Sequence, residues 1–329
     1  MNSDALPPNS NCNFLRLFDD ANDTDLLFEQ GHLLAHYTSV SNLESILRQQ
    51  QIWFSNPLYL NDYEELRFGL NEGREIFLYD ENFQGRIKSA VRNDENYERL
   101  RFYFNDLFDQ FERNHALDTF VLSFCLHERS DYDGKLSMWR GYGASGNGAC
   151  LVFDSGKLSA VDESPLVFGR VNYSSTADRI EQLKKFVVVL CEEFENTNEI
   201  DSVLYQGAYY YFERLKIFGL FSKHIGFKEE DEFRLIYLPE RDDKSKLSDH
   251  IGYHVSPIGL QPKLKLPIMP IEGVTPTDLD FATLIDRIIL GPSTSSILAQ
   301  NMFQRMLKKL NLESLSKKLC ASTIPFRQL

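Results

Sequence analysis

Between residues 100 and 111 the apolar side chains Leu100, Tyr103, Phe104, Leu107, Phe108 and Phe111 recur at i, i+3, i+4, i+7, i+8 and i+11. That spacing gathers them on one face of a helix of about three turns. A face this aromatic must be buried against a second layer. The rest of the chain offers short β-rich runs and further amphipathic helices, so the molecule is bounded to a mixed class. The expected partner of the 100–111 face is a sheet. With 329 residues, 43% of them hydrophobic and 13% aromatic, the chain holds enough apolar material for one large core or two smaller ones.

β-like runs lie at residues 33–37, 51–55, 119–126, 149–153, 167–173, 232–237, 253–256, 264–268, 284–290 and 320–324. Pro267 marks its run as a sheet edge or a strand end. Helical patterns lie between them. Residues 39–50 carry Ser41 as N-cap with Glu44 three positions on, the spacing of a capping box. Residues 63–77, 81–114 (one or two helices), 175–196, 201–221 and 296–310 follow. The pattern predicts an α+β fold in one domain over residues 14–329. A helical insertion covers about 63–117, further helices cover 175–221, and a flexible lead-in occupies 1–13.

The formal charge of −13 disfavours nonspecific binding to nucleic acid or anionic lipid. Five scattered cysteines without a Cys-x-x-Cys fit free thiols in a reducing, cytoplasmic setting. The N-terminus does not resemble a signal peptide. No apolar run approaches the ~18 residues of a membrane span, so no membrane partner is expected. Gly-x-Gly-x-x-Gly, P-loop, Gly-x-Ser-x-Gly and His-Glu-x-x-His patterns are all missing from the sequence.

The richest stretch for chemistry is residues 122–153, LSFCLHERSDYDGKLSMWRGYGASGNGACLVF. Arg140 can pair with a phosphate through both arms of its guanidinium. Trp139 or Tyr142 can stack on a planar ring, and Gly143, Gly146 and Gly148 permit close backbone approach to a ligand. A plain structural reading stands beside it: a glycine-rich loop stapled by core aromatics. His36, Tyr37 and Thr38 precede the first helix, where an imidazole can orient a ribose hydroxyl or simply bond the backbone. Glu230 and Glu232 are two apart on a β-like run, which puts both carboxylates on one face, with Arg234 continuing it. Two like charges so placed raise at least one pKa. Lys223, His224 and Lys228 can contact phosphate or balance the acids. Asn61, Asp62 and Glu64, and His127, Glu128, Asp131 and Asp133, are polar loop groups without the ligand spacing of a known metal loop, so no metal is expected.

Four segments in order, HYTSVSNLESILRQQQIWFSNPLYLNDYEE, the 122–153 stretch, FKEEDEFRLIY and IILGPS, together resemble DUF2971. This is a bacterial family of unknown function, some of whose members are linked to abortive-infection phage defence. The resemblance runs from about residue 33 to residue 324. More distantly, the pieces resemble the ADP-ribosyltransferase fold, which implies a mixed, mostly antiparallel central sheet with inserted helices and NAD as substrate. In the His-Tyr-Glu class of that fold, the first strand's His holds the adenosine ribose, a position matched by His36. The Tyr beside the nicotinamide would be Tyr142, with Tyr37 as the other choice. The Glu that contacts the nicotinamide ribose and the acceptor would be Glu232, with Glu230 as its pair. Tyr37, Thr38, Ser55, Trp139, Arg140 and Lys223 complete the implied nucleotide site. The WRGY context and the long interval from Tyr142 to Glu232 depart from the usual pattern.

The resemblance implies NAD-dependent ADP-ribosyl transfer or NAD hydrolysis by an effector of anti-phage defence. Two alternatives are a metal-dependent nuclease or phosphoesterase built on Asp62, Glu64, His127 and Asp131, and a non-catalytic nucleotide-sensing or interaction domain. The sequence names no protein or nucleic-acid acceptor and no oligomeric state.

Overall fold

A computed structural model describes residues 12–19, 31–60, 63–162, 164–256 and 259–326. In chain order the elements are β1 (Leu33–Thr38), α1 (Val40–Gln49), β2 (Gln51–Ser55), α2 (Tyr63–Tyr79), α3 (Glu81–Ala90), α4 (Asp94–Arg113), β3 (Phe120–His127), α5 (Leu136–Gly141), β4 (Ala149–Asp154), β5 (Leu166–Arg170) and β6 (Asn172–Ser174). They continue with α6 (Thr176–Asn196), α7 (Ile200–Phe221), β7 (Ser222–His224), β8 (Glu232–Tyr237), β9 (Ile251–Ser256), β10 (Gly259–Pro267), α8 (Phe281–Leu284), β11 (Ile285–Leu290), α9 (Ile297–Lys309), α10 (Glu313–Ser316) and β12 (Leu319–Ala321). Where the sequence pattern reads as one α+β domain with inserted helices, the chain gathers into two compact units.

Of the described residues, the sheet unit contains 31–55, 120–170 and 228–326. Its sheet runs β12-β11-β4-β1-β3-β2-β10-β9, and is antiparallel apart from the β11–β12 pair. β3 is the branch point. One of its edges pairs with β8, from Phe120↔Tyr237 to Cys125↔Glu232, and β8 in turn pairs with β5. The other edge is divided: β1 pairs only at Leu33–Ala35 against residues 125–127, and β2 only at Ser55↔Val121. β1 then continues against β4 alone. The sheet therefore splits beside residues 122–124.

Strand alternation assigns the two faces. One carries Leu33, Ala35, Tyr37, Cys125, Cys150, Val152 and Ile289, covered by Met138 and Trp139 of α5. The other carries Leu34, Leu122, Phe124, Leu151, Phe153, Phe168 and Phe233, covered in part by Leu43, Ile46 and Leu47 of α1 and by Leu307 of α9. Pro267 falls at a strand end, and β10 lies inside the sheet between β2 and β9. The N-cap of α1 is Ser39, not Ser41: its Oγ accepts from the Asn42 amide at 3.2 Å. β1 extends to Thr38, so the break in backbone geometry comes two residues earlier than the capping-box spacing indicates. Glu44 turns to Arg48 one turn on.

Of the described residues, the helical unit contains 12–19, 56–119 and 171–227. Here the 100–111 face meets a helix rather than a sheet. Phe104 and Phe108 lie 6.4 and 6.3 Å from the Phe212 ring of α7, Phe111 lies 5.7 Å from it, and Phe104 lies 5.6 Å from Tyr211. α7 is apolar around most of its circumference, so it takes α4 and still presents Gly219 to α2. A Cβ on Gly69 of α2 would lie 2.7 Å from the Gly219 backbone, so the two helices approach at glycine. Of the lead-in expected over residues 1–13, residues 1–11 lie outside the described residues. Cys12 and Asn13 are held. The Cys12 thiol donates to the Glu193 carbonyl at 3.1 Å, and the Asn13 amide to the Glu193 carboxylate at 2.6 Å. Among the described residues no helix is long and apolar enough to cross a membrane.

Candidate functional site

The 122–153 stretch organises one face of the sheet through a small set of bonds. Asp131 Oδ1 accepts from the amides of Asp133 and Gly134, an Asx-type turn that reverses the chain after β3. Gly134 sits at φ +75°, and a Cβ there would meet the Tyr37 hydroxyl at 2.8 Å. The Lys135 amide donates to that hydroxyl at 2.9 Å, and Trp139 Nε1 donates to the Asp133 carbonyl at 2.8 Å. Tyr37 and Trp139 stand edge to face with centroids 4.9 Å apart. Both are buried, Trp139 completely. They form the staple of a glycine-rich loop rather than an open stacking platform, and burial pushes the Tyr37 phenol well above its ordinary range. The glycines serve the same packing. A Cβ on Gly148 would fall on the Thr38 carbonyl, and one on Gly143 would meet the Trp139 ring.

The open part of this face lies at the end of α5. Tyr142 is 42% exposed and its hydroxyl donates to Glu230 Oε1 at 2.8 Å, joining residues 88 apart in the chain. The two carboxylates expected to share a strand face part company here. Asp231 takes φ +42°, a left-handed conformation that ends the strand, so β8 begins at Glu232 and Glu230 belongs to the turn before it. Glu232 is buried and bonded at both oxygens by Arg234, at 2.8 and 3.0 Å. Half-buried Glu230 is left facing Tyr142.

Asp231 is fixed from three sides. Its carbonyl accepts from the Leu126 amide at 2.9 Å, and its carboxylate meets Arg170 at 2.7 Å and Lys135 at 3.9 Å. A non-glycine residue held at positive φ by such partners is a common mark of a functional segment. Beneath it lies Cys125. Burial pushes that thiol up to about 11; Lys135 opposes the shift, while Asp231 and Glu230 add to it. The site thus unites Tyr142, Glu230, Asp231 and Lys135 at the end of the strand that carries the buried Glu232–Arg234 pair, while Arg170 leaves β5 on the Phe233 face and reaches the Asp231 carboxylate from there. Sequence reasoning singled out Tyr142, Glu230, Glu232 and Arg234 but missed Lys135, Arg170 and Asp231. Asp231 was visible as the third acid of the Glu-Glu-Asp-Glu run at 229–232. Lys135 and Arg170 have no local pattern to mark them.

The remaining candidates lie elsewhere. His36 leaves β1 on the face opposite Tyr37, Cys125 and Glu232. Its Nδ1 donates to the Ser123 carbonyl at 3.2 Å, beside the split where β1 has left β3, and burial pulls its imidazole below the usual value of 6.5. Thr38 Oγ1 accepts from Asn42 at 3.1 Å, and Ser55 Oγ accepts from Lys263 at 2.7 Å. Arg140 is exposed, 5.4 Å over the Phe326 ring. Lys223 belongs to the helical unit, where it is buried with its ammonium 4.7 Å from the Phe227 ring. Of the metal alternative, Asp62 and the Glu64 side chain lie outside the described residues. His127 Nε2 meets the Asp131 carbonyl at 2.8 Å, which ties that pair into the turn. Among the described residues no three His, Cys, Asp or Glu side chains gather where they would hold a metal ion.

Residues 138–235 match DUF2971, a protein family of unknown function. The DUF2971 match opens on Met138 and Trp139 and closes on Leu235, so the Tyr142–Glu230 bond joins its two ends. No curated protein and no solved structure matches the chain. The fold stands as α+β with a largely antiparallel sheet.

Proposed function

We propose that the Tyr142–Glu230 end of the sheet binds NAD and cleaves its nicotinamide–ribose bond, by transfer or by hydrolysis. The 2.8 Å bond from the Tyr142 hydroxyl to Glu230 carries the reading. It brings together the two motif segments that point to this chemistry and holds a half-buried carboxylate in a fixed orientation. Cleavage of that bond sends its electron pair out with nicotinamide and leaves positive charge on the ribose C1′ and ring oxygen. A fixed carboxylate stabilises such a centre and can then take a proton from the water or acceptor that attacks C1′. Lys135 and Arg170, both held at Asp231, supply cationic charge for the pyrophosphate. Glu232 orients this end of β8 through Arg234 instead of touching the substrate. His36, on the other face, closes the split in the sheet.

The full chain incubated with NAD is expected to release nicotinamide, followed by chromatography. Glu230→Gln should slow release by about 100-fold or more, the usual scale for a general acid–base group. Tyr142→Phe should slow it by about tenfold, with circular dichroism unchanged in both. The absence of both nicotinamide release and calorimetric NAD binding in the wild type would end the proposal. Binding without release, unaffected by Glu230→Gln, would point to nucleotide sensing in its place.

A further inference from the structure

The second face of the sheet holds a cavity of ≈ 370 Å³ within the sheet unit. Its position follows from the split. Leu34 of β1 and Ile52 of β2 flank the gap, with Leu122 and Phe124 of β3 between them and Phe153 and Leu266 beside them. Diverging strands leave a wedge that these side chains do not fill. Loop residues on both sides of Asp162, together with Val274 and Leu279, line the space away from the sheet.

The voids of a well-packed core are few and rarely exceed a water molecule, whereas small-molecule sites run from about 300 to 1,000 Å³. This one has the size of a site. Its walls are mostly Leu, Ile, Val and Phe, a lining that holds ordered water poorly. The polar contribution is small: Ser155, Ser159, Asp162, Ser164, Thr275 and Arg241. Among them, the Ser164 and Thr275 hydroxyls donate to the Val274 and Met269 carbonyls, and Ser155 Oγ accepts from the His32 amide.

We infer that this cavity is a second ligand site, for a small amphiphile with a slender apolar body and one hydrogen-bonding head. It is separate from the Tyr142–Glu230 site because alternating residues of β3 and β8 line opposite faces: Leu122 and Leu235 here, Cys125 and Glu232 there. The inference does not depend on the NAD reading.

The test is saturable binding of a fluorescent polyene fatty acid to the full chain, with displacement by dodecanoate. One equivalent should bind, and dodecanoate should raise the melting temperature. Leu158→Trp and Leu166→Trp each push an indole into the cavity from partly buried positions. Both should weaken binding at least tenfold while melting no lower than the wild type without ligand. Glu230→Gln should bind dodecanoate as the wild type does. Failure of the wild type to bind, or wild-type affinity in both filled variants, would overturn the inference.

Discussion

Glu230 and Glu232 show what two positions in a strand can and cannot reveal. An i, i+2 pair of carboxylates reads as one charged face, but a single backbone angle at Asp231 gives the two acids different surroundings. Glu232 is 4% exposed and doubly bonded to an Arg234 that is equally buried. Removing one charge from such a pair strands the other, at about 3–5 kcal/mol. Glu232→Gln should therefore lower the chemical-denaturation midpoint sharply, while Glu230→Gln should leave it nearly unchanged. Equal midpoints for the two variants would refute this division of labour. His36 gives a pH-dependent counterpart. Burial depresses its pKa from 6.5, and the bond to the Ser123 carbonyl offsets that only in part. The fold holds the neutral ring, so the unfolded chain binds more protons in acid. The contribution is complete above about pH 6.5 and is lost as pH falls through the depressed value. His36→Asn keeps a donor without a titrating proton. Its deficit in urea midpoint against the wild type at pH 7.5 should narrow by pH 5.

At the scale of elements, periodicity was a good guide to what forms and a poor one to what it meets. The strand at 232–237 and the helices over 63–79, 176–196 and 200–221 stand within a residue or two of their sequence signals, because alternation and 3.6-residue spacing are local properties. The partner of α4 was not legible. Leu100, Phe104, Phe108 and Phe111 declare a buried face, but α7 and a sheet are equally apolar surfaces when viewed from the sequence. The start of α1 was misplaced for a related reason. Ser39 and Ser41 are both cap residues, and the choice between them depends on where β1 releases the chain from β4. The structure makes Ser39 the acceptor for the Asn42 amide. Ser39→Ala should cost about 1 kcal/mol of stability and Ser41→Ala close to none, measured as a shift in denaturation midpoint. The reverse order would restore the capping box at Ser41.

Over residues 31–326 the chain passes between its two units four times, after Ser55, Thr119, Arg170 and Phe227. Each passage lies at or near the end of a sheet strand, so residues 56–119 and 171–227 are two helical excursions from the sheet's own path. The sequence reads the first as a helical insertion at about 63–117 and the second as helices over 175–221. Their convergence, with residues 12–18, into a unit of their own was not legible, since nothing in either excursion names the other until α4 and α7 are seen in contact. Two units with separate apolar cores have a thermodynamic consequence, because a chain of this kind need not unfold in one step. Phe104 and Ile288 are both fully buried, the first against Phe77, Tyr211 and Phe212 in the helical unit, the second in the sheet core. Truncating either to Ala removes about 2–5 kcal/mol from its own core. Scanning calorimetry of the full chain should resolve two transitions, with Phe104→Ala lowering one and Ile288→Ala lowering the other. One transition displaced alike by both substitutions would instead make the two cores a single cooperative unit, and the helical excursions would then count as part of the sheet's stability.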